Sequence, residues 1–144
     1  MRKVGLLLLL AGCAGAQPGF TIEQVLSAPF PSEISASAGG KLAWVSNARG
    51  VRNILVAEPP AFRPRAITSY TADDGQEVAE LRWAGNAIVY TRGGDLNPAN
   101  DPKGVEQAVW IAPLDGAPRK IGEGSSPAVS AKQVAFVRGG QVWM

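Results

Sequence analysis

The chain has 144 residues, with 14 Lys and Arg against 12 Asp and Glu, one cysteine and no histidine. Without histidine, neither a Ser-His-Asp triad nor a histidine-ligated metal site can be assembled, and a single cysteine makes no intrachain disulfide. The excess of positive charge is carried by Arg2 and Lys3, in a segment expected to be removed; the remainder is balanced and leaves no clustered basic face for nucleic acid.

Residues 1–16 read as an export signal. Met1-Arg2-Lys3 is a short basic start, Val4 to Leu10 is an apolar run, and Ala14-Gly15-Ala16 places small residues before a cleavage point at Gln17. The run is too short to span a bilayer as a helix. Leu10-Ala11-Gly12-Cys13 offers a second route, in which Cys13 is lipidated and becomes the N-terminus. Both routes predict an exported protein, periplasmic or extracellular, with a membrane partner only if Cys13 carries lipid.

Residues 17–31 are expected to form an N-terminal arm with a short helix over 20–27. Thr21 is a good N-cap, Gln24 stands at the position that can return a bond to the cap, and Phe20 with Val25 would form a hydrophobic staple. Pro29 and Pro31 end the helix. So short a helix is marginal alone and is expected to dock on something larger.

From residue 32 onward a pattern recurs. Lys41-Leu42-Ala43-Trp44-Val45-Ser46 is answered by Ala87-Ile88-Val89-Tyr90-Thr91-Arg92 and by Gln133-Val134-Ala135-Phe136-Val137-Arg138, with the aromatics Trp44, Tyr90 and Phe136 spaced 46 residues apart. Each run alternates as a strand does, and each follows a turn signal. A β-rich unit returning every ~40–50 residues is the sequence mark of a propeller blade. The fold class is therefore all-β: an incomplete β-propeller of two full four-stranded blades plus a partial third, preceded by the short helix. The blades fall at about 32–72, 77–123 and 125–144.

In blade one the strands are expected over 32–37, 41–46, 53–58 and 66–71, with Pro59, Pro60 and Pro64 excluding a central strand between the last two. Blade two follows the acidic turn Asp73-Asp74-Gly75-Gln76, with strands over 77–83, 87–92, 108–113 and 119–122 and a long insertion from Gly93 to Gly104. Blade three has strands over 125–130, 133–138 and 141–144. Gln141-Val142-Trp143-Met144 is aligned with Asn53-Ile54-Leu55-Val56 and with Gln107-Ala108-Val109-Trp110. The pattern stops there, before an outer strand, which predicts a fragment of a longer array with an unpaired edge.

No residue is predicted to be catalytic, cofactor-binding or metal-binding, and no cofactor is expected. Asp95, Asn97, Asn100 and Asp101 supply oxygen ligands at irregular spacing, but Pro98 interrupts them and the glycine and closing glutamate of a calcium loop are missing, so the segment reads as a polar loop. Asp73, Asp74 and Glu77 read first as a turn and only second as an acidic patch. Trp44, Trp110 and Trp143 fall at alternating strand positions and are expected in the core between blades, with Trp83 left unassigned. There is no Gly-x-Ser-x-Gly elbow, and the Gly-Gly pairs at 39, 93 and 139 lack the strand-to-helix setting of a phosphate loop.

Several linked runs resemble a family. Residues 20–32, followed by Lys41-Leu42-Ala43-Trp44 and Asn47-Ala48-Arg49-Gly50-Val51-Arg52-Asn53, look like the start of exported bacterial serine peptidases of the prolyl oligopeptidase family, dipeptidyl- and acylaminoacyl-peptidase-like enzymes included. Tyr70-Thr71-Ala72-Asp73-Asp74-Gly75-Gln76-Glu77 and Val89-Tyr90-Thr91-Arg92-Gly93-Gly94-Asp95 continue the likeness in order. The resemblance implies a propeller that gates and positions peptide substrates above a C-terminal α/β-hydrolase domain bearing a Ser-Asp-His triad. The chain departs from that pattern in having no hydrolase domain, no elbow serine and no histidine, and the glutamate pair that holds substrate amines in some members has no counterpart. The expected function is thus that of a non-catalytic propeller fragment of a secreted peptidase, its partners a peptide substrate or the hydrolase domain. The alternative is a stand-alone propeller-repeat protein of the cell envelope that binds a protein partner, like the Tol-system propeller.

Overall fold

The structure is a computed structural model that describes residues 19–94, 107–130 and 133–144. The segment expected to be an export signal (residues 1–16), the expected polar loop from Asp95 to Asp101 and the step expected to turn at Ala131 lie outside the described residues. The short helix α1 (Ile22–Leu26) forms where the cap residues place it: Gln24 N donates to Thr21 Oγ1 at 3.1 Å and Thr21 N to Gln24 Oε1 at 2.9 Å, completing the capping box. The expected docking is not seen. Phe20, Ile22, Val25 and Leu26 are all exposed, so the cap and its few backbone bonds are what hold the turn.

Among the described residues eleven strands follow, arranged in three antiparallel sheets of 4, 4 and 3 strands taken in chain order. Sheet 1 comprises β1 (Phe30–Ala36), β2 (Leu42–Ala48), β3 (Val51–Ala57) and β4 (Arg65–Ala66). Its central hairpin turns tightly through Arg49 and Gly50, both at positive φ (55° and 85°), the twist that suits a two-residue link between strands. The fourth strand is shorter than the expected 66–71. Beyond Ile67 the backbone leaves the ladder because the Asn53 side chain takes over: Asn53 Oδ1 accepts from Tyr70 N and Thr68 Oγ1, both at 2.8 Å, and Thr68 Oγ1 accepts from Ile54 N at 2.9 Å.

Sheet 2 comprises β5 (Val78–Trp83), β6 (Ala87–Arg92), β7 (Ala108–Pro113) and β8 (Arg119–Glu123); sheet 3 comprises β9 (Ser125–Val129), β10 (Val134–Arg138) and β11 (Gln141–Trp143). The three sheets share one register. Trp44 pairs with Leu55, Tyr90 with Trp110 and Phe136 with Trp143. The counterpart of Leu55 in sheet 2 is therefore Trp110 and not Val109, one residue from the alignment of the sequence repeats. A slip of one residue exchanges the two faces of a strand, and Val109 is needed on the other side, fully buried beside Val89 and Phe136.

Successive sheets pack face to face through two cores. The first joins Ala43, Val45, Ile54 and Val56 of sheet 1 to Leu81, Ile88, Tyr90 and Ala112 of sheet 2, with Trp83 and Trp110 against it. The second joins Val89 and Val109 of sheet 2 to Phe136 of sheet 3. Glycine makes the second contact close enough: a Cβ on Gly122 would stand 2.9 Å from the Phe136 ring, and one on Gly124, whose φ is +137°, would stand 2.2 Å from the Val137 carbonyl oxygen. Trp44, Tyr90 and Phe136 all sit on the side of their sheet that faces the preceding one. Tyr90 and Phe136 are buried, whereas Trp44, with no described sheet before it, is half-buried. Trp143 departs from its expected core position. It is 47% exposed, with the Arg138 guanidinium 5.4 Å from its ring centre.

Because burial and not residue type sets the cost of truncation, Tyr90→Ala should destabilise the chain by about 3–5 kcal/mol and Trp44→Ala by about 1–2 kcal/mol in urea unfolding. Equal losses at the two sites would contradict the packing described.

Candidate functional site

The junction between sheets 1 and 2 gathers a set of charged and hydroxyl groups that could support chemistry. The turn 73–76 lies over the β2–β3 hairpin so closely that a Cβ on Gly50 would meet the Asp73 carboxyl at 2.1 Å. Arg52 reaches Glu77 at 3.2 Å and Asp73 at 3.7 Å, while Arg92 pairs with Asp74 and lies over the Tyr70 ring, 4.2 Å from its centre. Asp73 and Asp74 also accept from Gly75 N at 3.3 Å and Gln76 N at 3.0 Å. Every carboxylate of the acidic turn is thus engaged locally, as a turn between sheets requires.

Below the turn, the Tyr70 and Tyr90 hydroxyls share a hydrogen bond of 2.7 Å. Burial, reinforced by that bond, drives the Tyr90 hydroxyl well above the ordinary tyrosine range and keeps it neutral. A tyrosine so placed is a structural hydrogen-bonding group, unsuited to trading protons near neutrality. Trp83, unassigned by sequence, packs at this junction and donates from Nε1 to the Ser35 carbonyl at 3.4 Å. Arg65 crosses the same junction to the Leu114 carbonyl at 2.7 Å.

Among the described residues no group of three or more His, Cys, Asp or Glu side chains could hold a metal ion. The outer side of sheet 3 bears a shallow open depression of about 210 Å³ lined by Ala128, Val129, Ser130, Gln133, Ala135 and Met144. That is smaller than the ~300–1,000 Å³ of small-molecule sites, and its lining offers few converging polar groups. Among the described residues no helix is long and apolar enough to cross a membrane.

One repeated feature escaped the sequence reading. The first strand of each sheet carries a bulge at the same place, shown by register breaks between Ser32 and Ser35, between Ala79 and Arg82, and opposite Ala135–Val137. At each bulge one residue adopts a left-handed backbone: Glu33 (φ 55°), Glu80 (φ 57°) and Ser126 (φ 55°). At Glu80 and Ser126 the bulge turns the N–H of that residue toward the sheet before it. Glu80 N donates to Glu33 Oε2 at 2.7 Å, and Ser126 N donates to Glu80 Oε2 at 2.9 Å. A small-Glu-apolar triplet, Ser32-Glu33-Ile34 and Ala79-Glu80-Leu81, is the signal that could have revealed it, but the third copy reads Ser125-Ser126-Pro127 and breaks the pattern.

The residues beside these bulges define the outer surfaces. Leu81, Ile88 and Tyr90 of sheet 2 are 2%, 0% and 0% exposed, covered by sheet 1. Their counterparts in sheet 1 are Ile34, 75% exposed, Leu42, 37% exposed, and the half-buried Trp44. At the other end Val137, Val142 and Met144 of sheet 3 are exposed. Among the described residues these two faces, together with the exposed apolar side chains around α1, are the large apolar surfaces left without a neighbour. No family model, curated protein or solved structure matches the chain.

The neutral, buried Tyr90 makes stability depend on pH in one direction. The folded state keeps the Tyr90 proton where an unfolded tyrosine gives it up near pH ~10, so the stabilisation is intact below that value and falls as pH rises through it. Urea unfolding between pH 8 and pH 11 should lose up to about 1.4 kcal/mol per pH unit above pH ~10, and Tyr90→Phe should flatten that slope. An identical alkaline slope in the variant would remove Tyr90 from this role.

Proposed function

We propose that the chain is the N-terminal part of a β-propeller from an exported peptidase of the prolyl oligopeptidase kind, non-catalytic by itself. In the complete protein the propeller would admit and position small peptides for a hydrolase domain. The observation that carries the propeller reading is the equivalence of the three sheets. Trp44, Tyr90 and Phe136 hold one position and one facing, Glu33, Glu80 and Ser126 hold another, and each sheet meets the next through the same pair of faces. Repetition of that kind, one sheet per ~46 residues stacked through nearest-neighbour contacts, is how propellers and other repeat proteins are built.

The peptidase kinship rests on the linked runs from Phe20 to Asp95, and the export reading on Arg2, Lys3 and the leucines that follow. In this reading the substrate is a peptide and the hydrolase domain a covalent partner. Lipid enters only through Cys13.

The coding sequence that follows the Met144 codon tests the reading. Continuation into further four-stranded units and then a Gly-x-Ser-x-Gly elbow supports it; closure into a ring with no hydrolase would replace it with the protein-binding envelope propeller. A second measurement concerns the chain itself. With no histidine and no elbow serine, residues 17–144 should show no turnover of chromogenic dipeptide or acyl-amino-acid substrates above the buffer rate. Saturable hydrolysis that co-purifies with the chain would sink the non-catalytic assignment.

A further inference from the structure

We propose that the outer face of sheet 1 is a docking surface for one more antiparallel β-sheet, keyed by an acidic side chain on the first strand of that sheet that accepts from the Glu33 N–H. The inference rests on the reading of the three sheets as one repeating array and is independent of the peptidase kinship. This chain already makes the contact twice. Glu33 of sheet 1 caps the left-handed N–H of Glu80 in sheet 2, and Glu80 caps that of Ser126 in sheet 3.

Glu33 stands at the same bulge with the same backbone conformation, and among the described residues no side chain accepts from its N–H. Around it Ile34, Leu42 and Trp44 repeat the apolar positions that Leu81, Ile88 and Tyr90 present to sheet 1, with Ile34 and Leu42 exposed and Trp44 only half-buried. The socket therefore has the chemistry of the two filled ones: an apolar face beside a single main-chain donor. A carboxylate is the fitting acceptor, since bonds to a charged acceptor are the stronger kind and a glutamate stem spans the gap between sheets in both existing cases. The occupant's apolar face should resemble the one that covers sheet 2, namely Ala43, Val45, Ile54 and Val56.

A second copy of this chain nearly meets that description. Ala135, Val137, Val142 and Met144 of sheet 3 occupy the positions of Ala43, Val45, Ile54 and Val56. It lacks the key, because Ser126 stands where Glu33 and Glu80 carry carboxylates, and its hydroxyl stops two carbons short. Ser126→Glu supplies the missing group in a backbone conformation that glutamate already adopts twice in this chain.

The full chain carrying Ser126→Glu is thus the probe, compared with wild type and Ser126→Lys by sedimentation equilibrium, with circular dichroism to confirm that each is folded. Ser126→Glu should tighten self-association about tenfold over wild type, the effect of one hydrogen bond to a charged acceptor. Ser126→Lys should not tighten it, and Ile34→Lys added to Ser126→Glu should return the association to the wild-type level or below. The proposal is overturned if Ser126→Glu associates no more tightly than wild type, if Ser126→Lys is equally effective, or if Ile34→Lys leaves the gain untouched. A tight wild-type dimer insensitive to Ser126 would replace the keyed contact with an unkeyed one between copies. The coding sequence beyond Met144 bears on the peptidase reading alone, so failure of either leaves the other measurable.

Discussion

Each sheet of this protein is apolar on both sides, and that constraint governs the rest of the structure. A sheet with one wet face alternates apolar and polar residues, whereas β6 buries Ala87 through Thr91 without a break. Such a strand is stable only with a neighbour on either side, at about 25 cal/mol for each Å² of apolar area removed from water. Sheet 1 and sheet 3 provide those neighbours for sheet 2. Nothing described provides them for the outer faces of sheets 1 and 3, and the exposed Ile34, Leu42, Val137 and Val142 are the consequence.

Apolar contact alone would let one sheet slide over the next, and the polar groups at the junctions remove that freedom. The carboxylates of Glu33 and Glu80 reach the next sheet at one fixed point, the left-handed residue of its first strand. A non-glycine residue in that conformation is uncommon and costs of order 1–3 kcal/mol, so its return in all three sheets calls for a compensating contact. The carboxylate bond supplies it for Glu80 and Ser126. At the rim of the first junction Arg52 of sheet 1 and Arg92 of sheet 2 hold the connecting turn from either side, and Arg65 of β4 reaches the Leu114 carbonyl just beyond β7.

The arrangement also bears on where chemistry or binding could occur. Among the described residues Arg52 with Glu77 and Arg92 with Asp74 are paired around the turn at the first sheet junction, and Tyr90 is held neutral by burial. The exposed apolar faces of sheets 1 and 3 are surfaces against which a further sheet, a domain or a peptide could pack. The function proposed above, admitting and orienting substrates for chemistry performed elsewhere, would be a function of such surfaces, as would the binding of a partner by an envelope protein.

Much of this was legible in the residues. The recurrence of Trp44, Tyr90 and Phe136 located the central strands, and the turn signals bounded them to within a residue or two, because strand period and turn chemistry are local properties of the chain. Thr21 and Gln24 dictated the cap of α1 for the same reason, and the missing histidine ruled out a triad before any fold was known. Three matters were decided only by the tertiary structure. Trp110 rather than Val109 pairs with Tyr90, because the face that Val109 must cover belongs to a sheet distant in sequence. The fourth strand stops at Ala66, because Asn53, more than ten residues away, captures the backbone that would have continued it. Glu33 and Glu80, ordinary surface glutamates as letters in a sequence, become links between sheets only once bulges turn the facing N–H groups toward them, since a hydrogen bond across two sheets depends on where both are placed and on nothing local to either.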